Sequence, residues 1–98
     1  MSRSLVSPRS ASFKAQGGRC YYCGAPIWEH DLDQFAARHG LSRGQARRLQ
    51  CTGEHLVARS DGGGTSRANI VAACLFCNHN RHRRRRPPPA STYRTLVA

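Results

Sequence analysis

Four of the five cysteines form two pairs with the same spacing, Cys20-x-x-Cys23 and Cys74-x-x-Cys77. Two residues between thiols allow both sulfurs to reach one ion, and four thiolates make a tetrahedral site for a structural metal such as zinc. A redox role is the alternative, but paired spacing of this kind is the mark of a metal site. The sequence therefore predicts that Zn²⁺ holds the fold through these four side chains.

A second group of polar side chains lies between and after the cysteine pairs. Glu54 and His55 are adjacent, Asn69 follows a glycine-rich stretch, and Asn78 comes directly after the second pair. A carboxylate, an imidazole and two amides supply hard ligands and a base, which suits a reactive metal site. Taken alone, His55 is best interpreted as an ordinary surface or core histidine; its neighbours favour a catalytic role.

The charge of the chain indicates a polyanionic partner, most simply nucleic acid. The formal net charge is +11, and Lys14 is the only lysine, so almost all of the positive charge comes from arginine. Arginines cluster after the second cysteine pair, at Arg81 and at Arg83, Arg84, Arg85 and Arg86. A solvated run that only maintains solubility is the alternative, and the clustering favours a binding face.

The chain is expected to hold one domain between two tails. Residues 1–16 are rich in serine and basic residues and are predicted to be a disordered basic tail, and residues 87–98 a proline-rich tail. The predicted domain, residues 17–86, is too small for a hydrophobic core alone, so a structural zinc would add folding free energy. No signal sequence or membrane span is recognisable, and a cytoplasmic location is expected.

Two short helices are predicted between the first cysteine pair and Cys51, as an insertion over about 31–50. The apolar spacing favours a helix over 31–39 that ends at Gly40, and Ser42 with Gln45 forms a capping box for the second helix. A DNA-reading helix-turn-helix is one interpretation; a helical hairpin packed on the metal core is the one we favour.

The second half of the chain predicts a strand, a loop, a strand and a helix. Apolar runs lie in 51–58 and 70–74, with Gly62, Gly63 and Gly64 between them. A helix can run from Leu75 to Arg86, because Pro87 ends it.

Residues 20–86 resemble a zinc-containing HNH endonuclease. The matching motifs, in order, are Cys20-x-x-Cys23, Glu54-His55-Leu56-Val57, Asp61-Gly62-Gly63, Asn69-Ile70-Val71 and Cys74-x-x-Cys77-Asn78. The resemblance implies a small α+β fold: a ββα-metal, treble-clef-like finger stabilised by a four-cysteine zinc site, with the helical hairpin inserted. The chain departs from the family where Glu54 replaces a frequent Asp, Asn78 a frequent His, and Ala58 a frequent Pro.

The resemblance also assigns roles to side chains. His55 would be the general base that deprotonates water, oriented by a hydrogen bond from its other ring nitrogen. Glu54 and Asn78 would hold a catalytic divalent ion, Mg²⁺ or another, and Asn69 would pin the loop that aims His55. His82, one turn beyond Asn78, is a possible third ligand. The arginines Arg81 and Arg83 to Arg86 would contact phosphates.

The function implied is a metal-dependent endonuclease that hydrolyses DNA phosphodiester bonds. The alternatives are a zinc-stabilised nucleic-acid-binding module without catalysis and an RNA nuclease. The expected partner is DNA, most simply duplex, with no membrane and no small-molecule cofactor, and the protein is expected to be a monomer or a weak dimer.

Overall fold

The computed structural model describes residues 6–57, 62–64, 67–83 and 87–97. Ala58, Asp61 and Arg84 to Arg86 lie outside the described residues, and so do the predictions made for them. The described elements in chain order are α1 (Val6–Ala15), α2 (Leu32–His39), α3 (Arg43–Arg48), β1 (Cys51–His55), a 3-10 turn (Arg67–Asn69), β2 (Ile70–Cys74), α4 (Leu75–His82) and α5 (Ala90–Val97). Within these ranges no helix has the length and apolarity needed to cross a bilayer.

A two-stranded antiparallel ribbon and the helix that follows it carry the second half of the chain. In the register of β1 with β2, Cys51 faces Cys74 and His55 faces Ile70. Every residue of β2 is buried, and α4 begins directly after it with Cys74 as its N-cap. The predicted small α+β fold with a ββα finger is confirmed, and β1 is shorter than the predicted strand.

Helix α4 lies against the face of the ribbon that carries Thr52. Asn78 Nδ2 donates to Thr52 Oγ1 at 3.0 Å, and the same hydroxyl donates to the carbonyl of Ala73 on β2 at 2.7 Å. Side chains alternate between the faces of a strand, so Glu54 shares this face with Thr52. The helix therefore brings its own polar side chains to the carboxylate.

The two predicted helices of the insertion are confirmed. Asp31 caps α2, and Gly40 ends it in the left-handed conformation that glycine adopts without strain. Ser42 and Gln45 form the predicted capping box of α3. The two helices pack on each other through a separate apolar cluster, in which Ala46 is fully buried. This packing agrees with the interpretation of the insertion as a helical hairpin.

The expectation of a disordered tail over residues 1–16 is wrong for residues 6–15, which form α1. The helix lies along β2: Ser12 donates to the carbonyl of Ile70. Gln16 donates to the carbonyl of Ala72 at 2.8 Å and accepts from its N–H at 2.9 Å. An edge strand presents unpaired backbone groups, and these side chains satisfy them. Because α1 is held by polar side chains, its sequence shows no apolar periodicity that would predict a helix.

The proline-rich C-terminal segment also contains a helix, where the sequence predicted a tail. Ala90 and Tyr93 of α5 are buried in the core that also contains Cys20, Cys74 and Cys77. The Tyr93 ring packs edge-to-face on Tyr22 at 5.0 Å, and the Arg94 guanidinium lies 4.5 Å above the Tyr21 ring. The segment after Pro89 thus belongs to the folded body.

Candidate functional site

The four paired cysteines meet at one point between the N-terminal knuckle and α4. Their sulfur atoms all lie within 4.8 Å of one another. Four sulfurs around one Zn²⁺, each about 2.3 Å from it, would be separated by about 3.8 Å, so small movements close the site on the ion. The predicted structural metal site is present, and its all-thiolate ligand set fits zinc.

Backbone amides point at the sulfurs, as expected for a metal knuckle. Tyr22 N and Cys74 N each lie 3.3 Å from Cys20 Sγ, and Cys77 N lies 3.3 Å from Cys74 Sγ. Gly24 turns the chain after the first pair with φ of 74°. These N–H groups stabilise negative charge on sulfur, which is the form that binds metal.

The thiols within this cluster share protons unequally. Hydrogen bonds from Cys74 and Cys77 hold the pKa of Cys20 well below its usual value. The hydrogen bond between Cys74 and Cys20 also raises the pKa of the Cys74 thiol to about 12. A thiolate-binding cation would release the retained protons, because metal binding to cysteine displaces them.

Cys51 is not part of the metal site. It faces Cys74 across the ribbon and is 3% exposed, but its sulfur is not among the four that converge. Burial raises the pKa of its thiol to about 11. It is therefore a spare buried thiol, acting as a small apolar side chain.

A second polar site forms where β1 meets the end of α4. Glu54 is only 3% exposed. Its Oε1 lies 3.0 Å from His82 Nε2, and its Oε2 accepts a 2.6 Å hydrogen bond from Arg81 Nη1. The structure therefore brings together Glu54 and His82, two of the side chains predicted to bind a divalent ion.

Asn78, the other predicted ligand, lies one helical turn before His82 on α4. Its Nδ2 donates to Thr52 Oγ1, and its Oδ1 has no hydrogen-bond partner among the described residues. That orientation keeps the amide oxygen, the atom that can bind a cation, unpaired on the face that α4 presents to β1.

His55 ends β1 and has an unpaired nitrogen. Its Nε2 is buried and has no hydrogen-bond partner among the described residues. Neither ring nitrogen bonds a described residue, so the orienting hydrogen bond expected from the sequence is not seen in this part of the chain. A buried polar atom without a partner costs free energy, and such atoms are common where a ligand or reactant binds.

Asn69 ties together the two sides of the glycine-rich loop. Its Oδ1 accepts from Val57 N at 2.8 Å, and its Nδ2 donates to the carbonyls of Val57 at 3.1 Å and Gly64 at 2.7 Å. Leu56 N also donates to the Asn69 carbonyl at 2.8 Å. These are the loop-pinning bonds expected from the sequence, and they fix the residues that follow His55.

Arg81 was predicted to contact phosphate, and this is wrong. The side chain is 7% exposed and is bonded to Glu54, to Tyr22 and to a backbone carbonyl. Helical spacing could have shown this: Arg81 lies four residues after Cys77 and three after Asn78, on the inward face of α4. Arg83 is exposed, and its side chain bonds only Asn80, at 3.5 Å, among the described residues.

The sequence favoured a packing role for the inserted helices over DNA reading, and these helices carry exposed arginines. The side chains of Arg38, Arg47 and Arg48 are exposed and have no hydrogen bond or ion pair among the described residues, whereas Arg43 pairs with Asp33 at 3.1 Å. Arg48 and Asn80 of α4 line the same apolar cleft of about 480 Å³. The hairpin therefore adds unpaired positive charge beside the finger.

One comparison with known proteins identifies the family of the chain. The family model described as HNH endonuclease matches residues 20–84, which is more than half of the sequence. No curated protein and no solved structure matches it. The matched range begins at Cys20, contains the ribbon, Glu54, His55 and Asn69, and extends two residues beyond the end of α4. The chain belongs to the HNH endonuclease family.

Proposed function

We propose that the protein is a metal-dependent endonuclease that hydrolyses phosphodiester bonds in DNA. The observation that carries the proposal is that Glu54 Oε1 and His82 Nε2 lie 3.0 Å apart. The residue after Glu54 is His55, whose buried Nε2 has no hydrogen-bond partner among the described residues. A module that only binds nucleic acid has no need of this combination of side chains. The zinc knuckle and β2 fix the start of α4, and so support this arrangement.

Glu54, His82 and Asn78 would hold the catalytic divalent ion. Glu54 Oε1 and His82 Nε2 lie at a hydrogen-bond distance of 3.0 Å, so both atoms could bind one ion about 2.1 Å from each if the ion replaced that hydrogen bond. Asn78 offers its unpaired amide oxygen from the same helix. When bound, the cation would supply charge stabilisation at the phosphate and at the leaving 3′ oxygen.

His55 is the proposed general base. A neutral imidazole near physiological pH can accept a proton from water as the water attacks phosphorus, and the unpaired Nε2 is the atom we assign to this step. Asn69 is a positioning residue, because its bonds to Val57 and Gly64 hold the chain that follows His55.

Exposed arginines would hold the DNA backbone. Arg83, at the end of α4, is the described member of the run that continues through Arg86, and Arg47 and Arg48 extend the charge along α3. Phosphate contacts position a duplex without reading its sequence. A net charge of +11 favours such binding and makes it dependent on salt.

Plasmid nicking tests the proposal. Zinc-loaded protein is incubated with supercoiled plasmid and, separately, with a structured RNA, with Mg²⁺, Mn²⁺ or a chelator weak enough to leave the zinc. We expect nicking of the plasmid that requires the divalent ion, and its loss in Glu54→Gln and His82→Ala. His79→Ala is the matched control, because His79 is exposed on the same helix.

The two alternatives predict different results. Cleavage of RNA with intact plasmid would make the protein an RNA nuclease. DNA binding without cleavage under every divalent ion would leave a nucleic-acid-binding module and would overturn the proposal.

A further inference from the structure

Arg81 connects the carboxylate of the candidate site to two distant parts of the fold. Its Nη1 donates to Glu54 Oε2 at 2.6 Å and lies 3.3 Å from the Tyr22 hydroxyl, and its Nε donates to the Pro88 carbonyl at 2.9 Å. The guanidinium is thus held on three sides while the residue is 7% exposed. Such a side chain has little freedom to leave the carboxylate.

Both supports of Arg81 are themselves buried or anchored. Tyr22 is 3% exposed, lies between the ligands Cys20 and Cys23, and packs on Tyr93 of α5. Pro88 belongs to the segment that leads into α5, beyond the range matched by the family model. The contacts of Arg81 therefore join the zinc knuckle and the C-terminal segment to Glu54.

We propose that Arg81 is a positioning residue for Glu54, and that residues 87–97 form part of the support of the active site. By holding Oε2, Arg81 leaves Oε1 directed at His82. It also compensates the negative charge of a carboxylate that is only 3% exposed, through an ion pair of 2.6 Å. This inference rests on the proposed function, since it needs Glu54 to bind a cation.

Mn²⁺ binding measured by electron paramagnetic resonance tests the role of Arg81 without measuring cleavage. The full-length, zinc-loaded protein is titrated with Mn²⁺ as the wild type, as Arg81→Met and as Arg83→Met. We expect the Mn²⁺ dissociation constant to rise about tenfold or more in Arg81→Met, as is typical when a partner of a metal ligand is lost. Arg83→Met removes the same charge from the exposed end of α4 and should change it about twofold at most.

Two gentler variants keep the test valid if Arg81→Met does not fold. Arg81→Lys keeps the charge but cannot reach three partners at once, so its affinity should lie between those of the wild type and Arg81→Met. Tyr22→Phe removes one support of the guanidinium while keeping the ring packed on Tyr93, and should weaken Mn²⁺ binding by a smaller factor. Unchanged or tighter Mn²⁺ binding in Arg81→Lys and Tyr22→Phe would overturn the inference.

Glu54→Gln separates this inference from the proposed function. If the wild type and Glu54→Gln bind Mn²⁺ alike, Glu54 is no ligand and both proposals fail. If Glu54→Gln loses the site while the Arg81 variants keep it, only the positioning role fails.

Hydrogen exchange tests the part played by the C-terminal segment. Because binding and local opening are linked, Mn²⁺ should slow amide exchange in Ala90–Val97 of the wild type, and Arg81→Met should abolish that effect. Identical exchange of this helix with and without Mn²⁺ in the wild type would refute the coupling.

Discussion

Cys74→Ser should unfold the protein, whereas Cys51→Ser should not. These two cysteines face each other across the ribbon, and they are 1% and 3% exposed respectively. Only Cys74 belongs to the four-sulfur cluster, where it also caps α4 through Cys77 N. The pair therefore separates loss of a metal ligand from loss of a buried thiol at matched positions.

The expected magnitudes differ widely. Structural zinc sites contribute roughly 10–16 kcal/mol, and domains of this size have a total stability of about 5–15 kcal/mol, so a weakened site removes much of the stability of the native state. Cys51→Ser places a hydroxyl among apolar groups, which costs about 1–3 kcal/mol when the hydroxyl lacks a partner. One variant should be unfolded and the other merely less stable.

Zinc content, circular dichroism and thermal melting of the purified variants measure the difference. Cys51→Ser should bind one zinc per chain and melt cooperatively at a lower temperature. Cys74→Ser should contain little zinc and show no cooperative melt. A folded, zinc-free Cys74→Ser protein, or equal destabilisation of both variants, would refute the reasoning that zinc is the main support of the fold.

Three further predictions concern the loop, the arginines and the spare thiol. Asn69→Ala removes three side-chain bonds and should lower the free energy of unfolding by about 1–3 kcal/mol in urea titrations. Asn69→Asp, which turns a charged oxygen toward the carbonyls of Val57 and Gly64, should lose no less, and wild-type stability of either variant would contradict the pinning role. The double variant of Arg47→Gln and Arg48→Gln should weaken binding to a DNA duplex of any sequence. The slope of log affinity against log salt concentration should decrease in magnitude by about 2, and an unchanged slope would exclude phosphate contacts by these two arginines. Cys51, whose pKa burial raises to about 11, should resist iodoacetamide at neutral pH in the native protein because thiolate is the reactive form, and rapid native labelling would contradict its burial.

Local signals made part of the fold predictable from sequence. The caps of α2 and α3 lie within three residues of the groups they bind, as in the bond from Gln34 N to Asp31 at 3.0 Å. The cysteine spacing likewise fixes a metal site without knowledge of the rest of the fold. Such features need only a short stretch of sequence to recognise.

The parts that were missed depend on contacts between distant residues. Helix α1 is held by Ser12 and Gln16, whose partners on β2 lie more than fifty residues away in the chain. Helix α5 depends on Tyr93 meeting Tyr22. Polar and aromatic side chains in a serine- or proline-rich stretch look like tail residues until the surface that receives them is known.

In the candidate site, too, local spacing was predictable from the sequence and contacts between distant residues were not. The spacing of Asn78 and His82 predicts that they share one face of a helix, and Asn69 forms the loop bonds expected of it. Arg81 and Arg83 are both arginines on or next to α4. Only their positions distinguish Arg81, a buried partner of Glu54, from Arg83, which is exposed. Sequence alone places residues in candidate roles; packing decides which arginine is structural.

The central claim is that His55 is the base of a metal-dependent hydrolysis, and single-turnover cleavage of plasmid DNA tests it most directly. The rate constant is measured for the wild type and His55→Ala at saturating Mn²⁺, with zinc content and DNA affinity determined on the same samples. We predict a rate about 10²–10⁴ times lower for His55→Ala, with zinc content and DNA affinity unchanged. Equal rate constants for the two proteins would contradict the account.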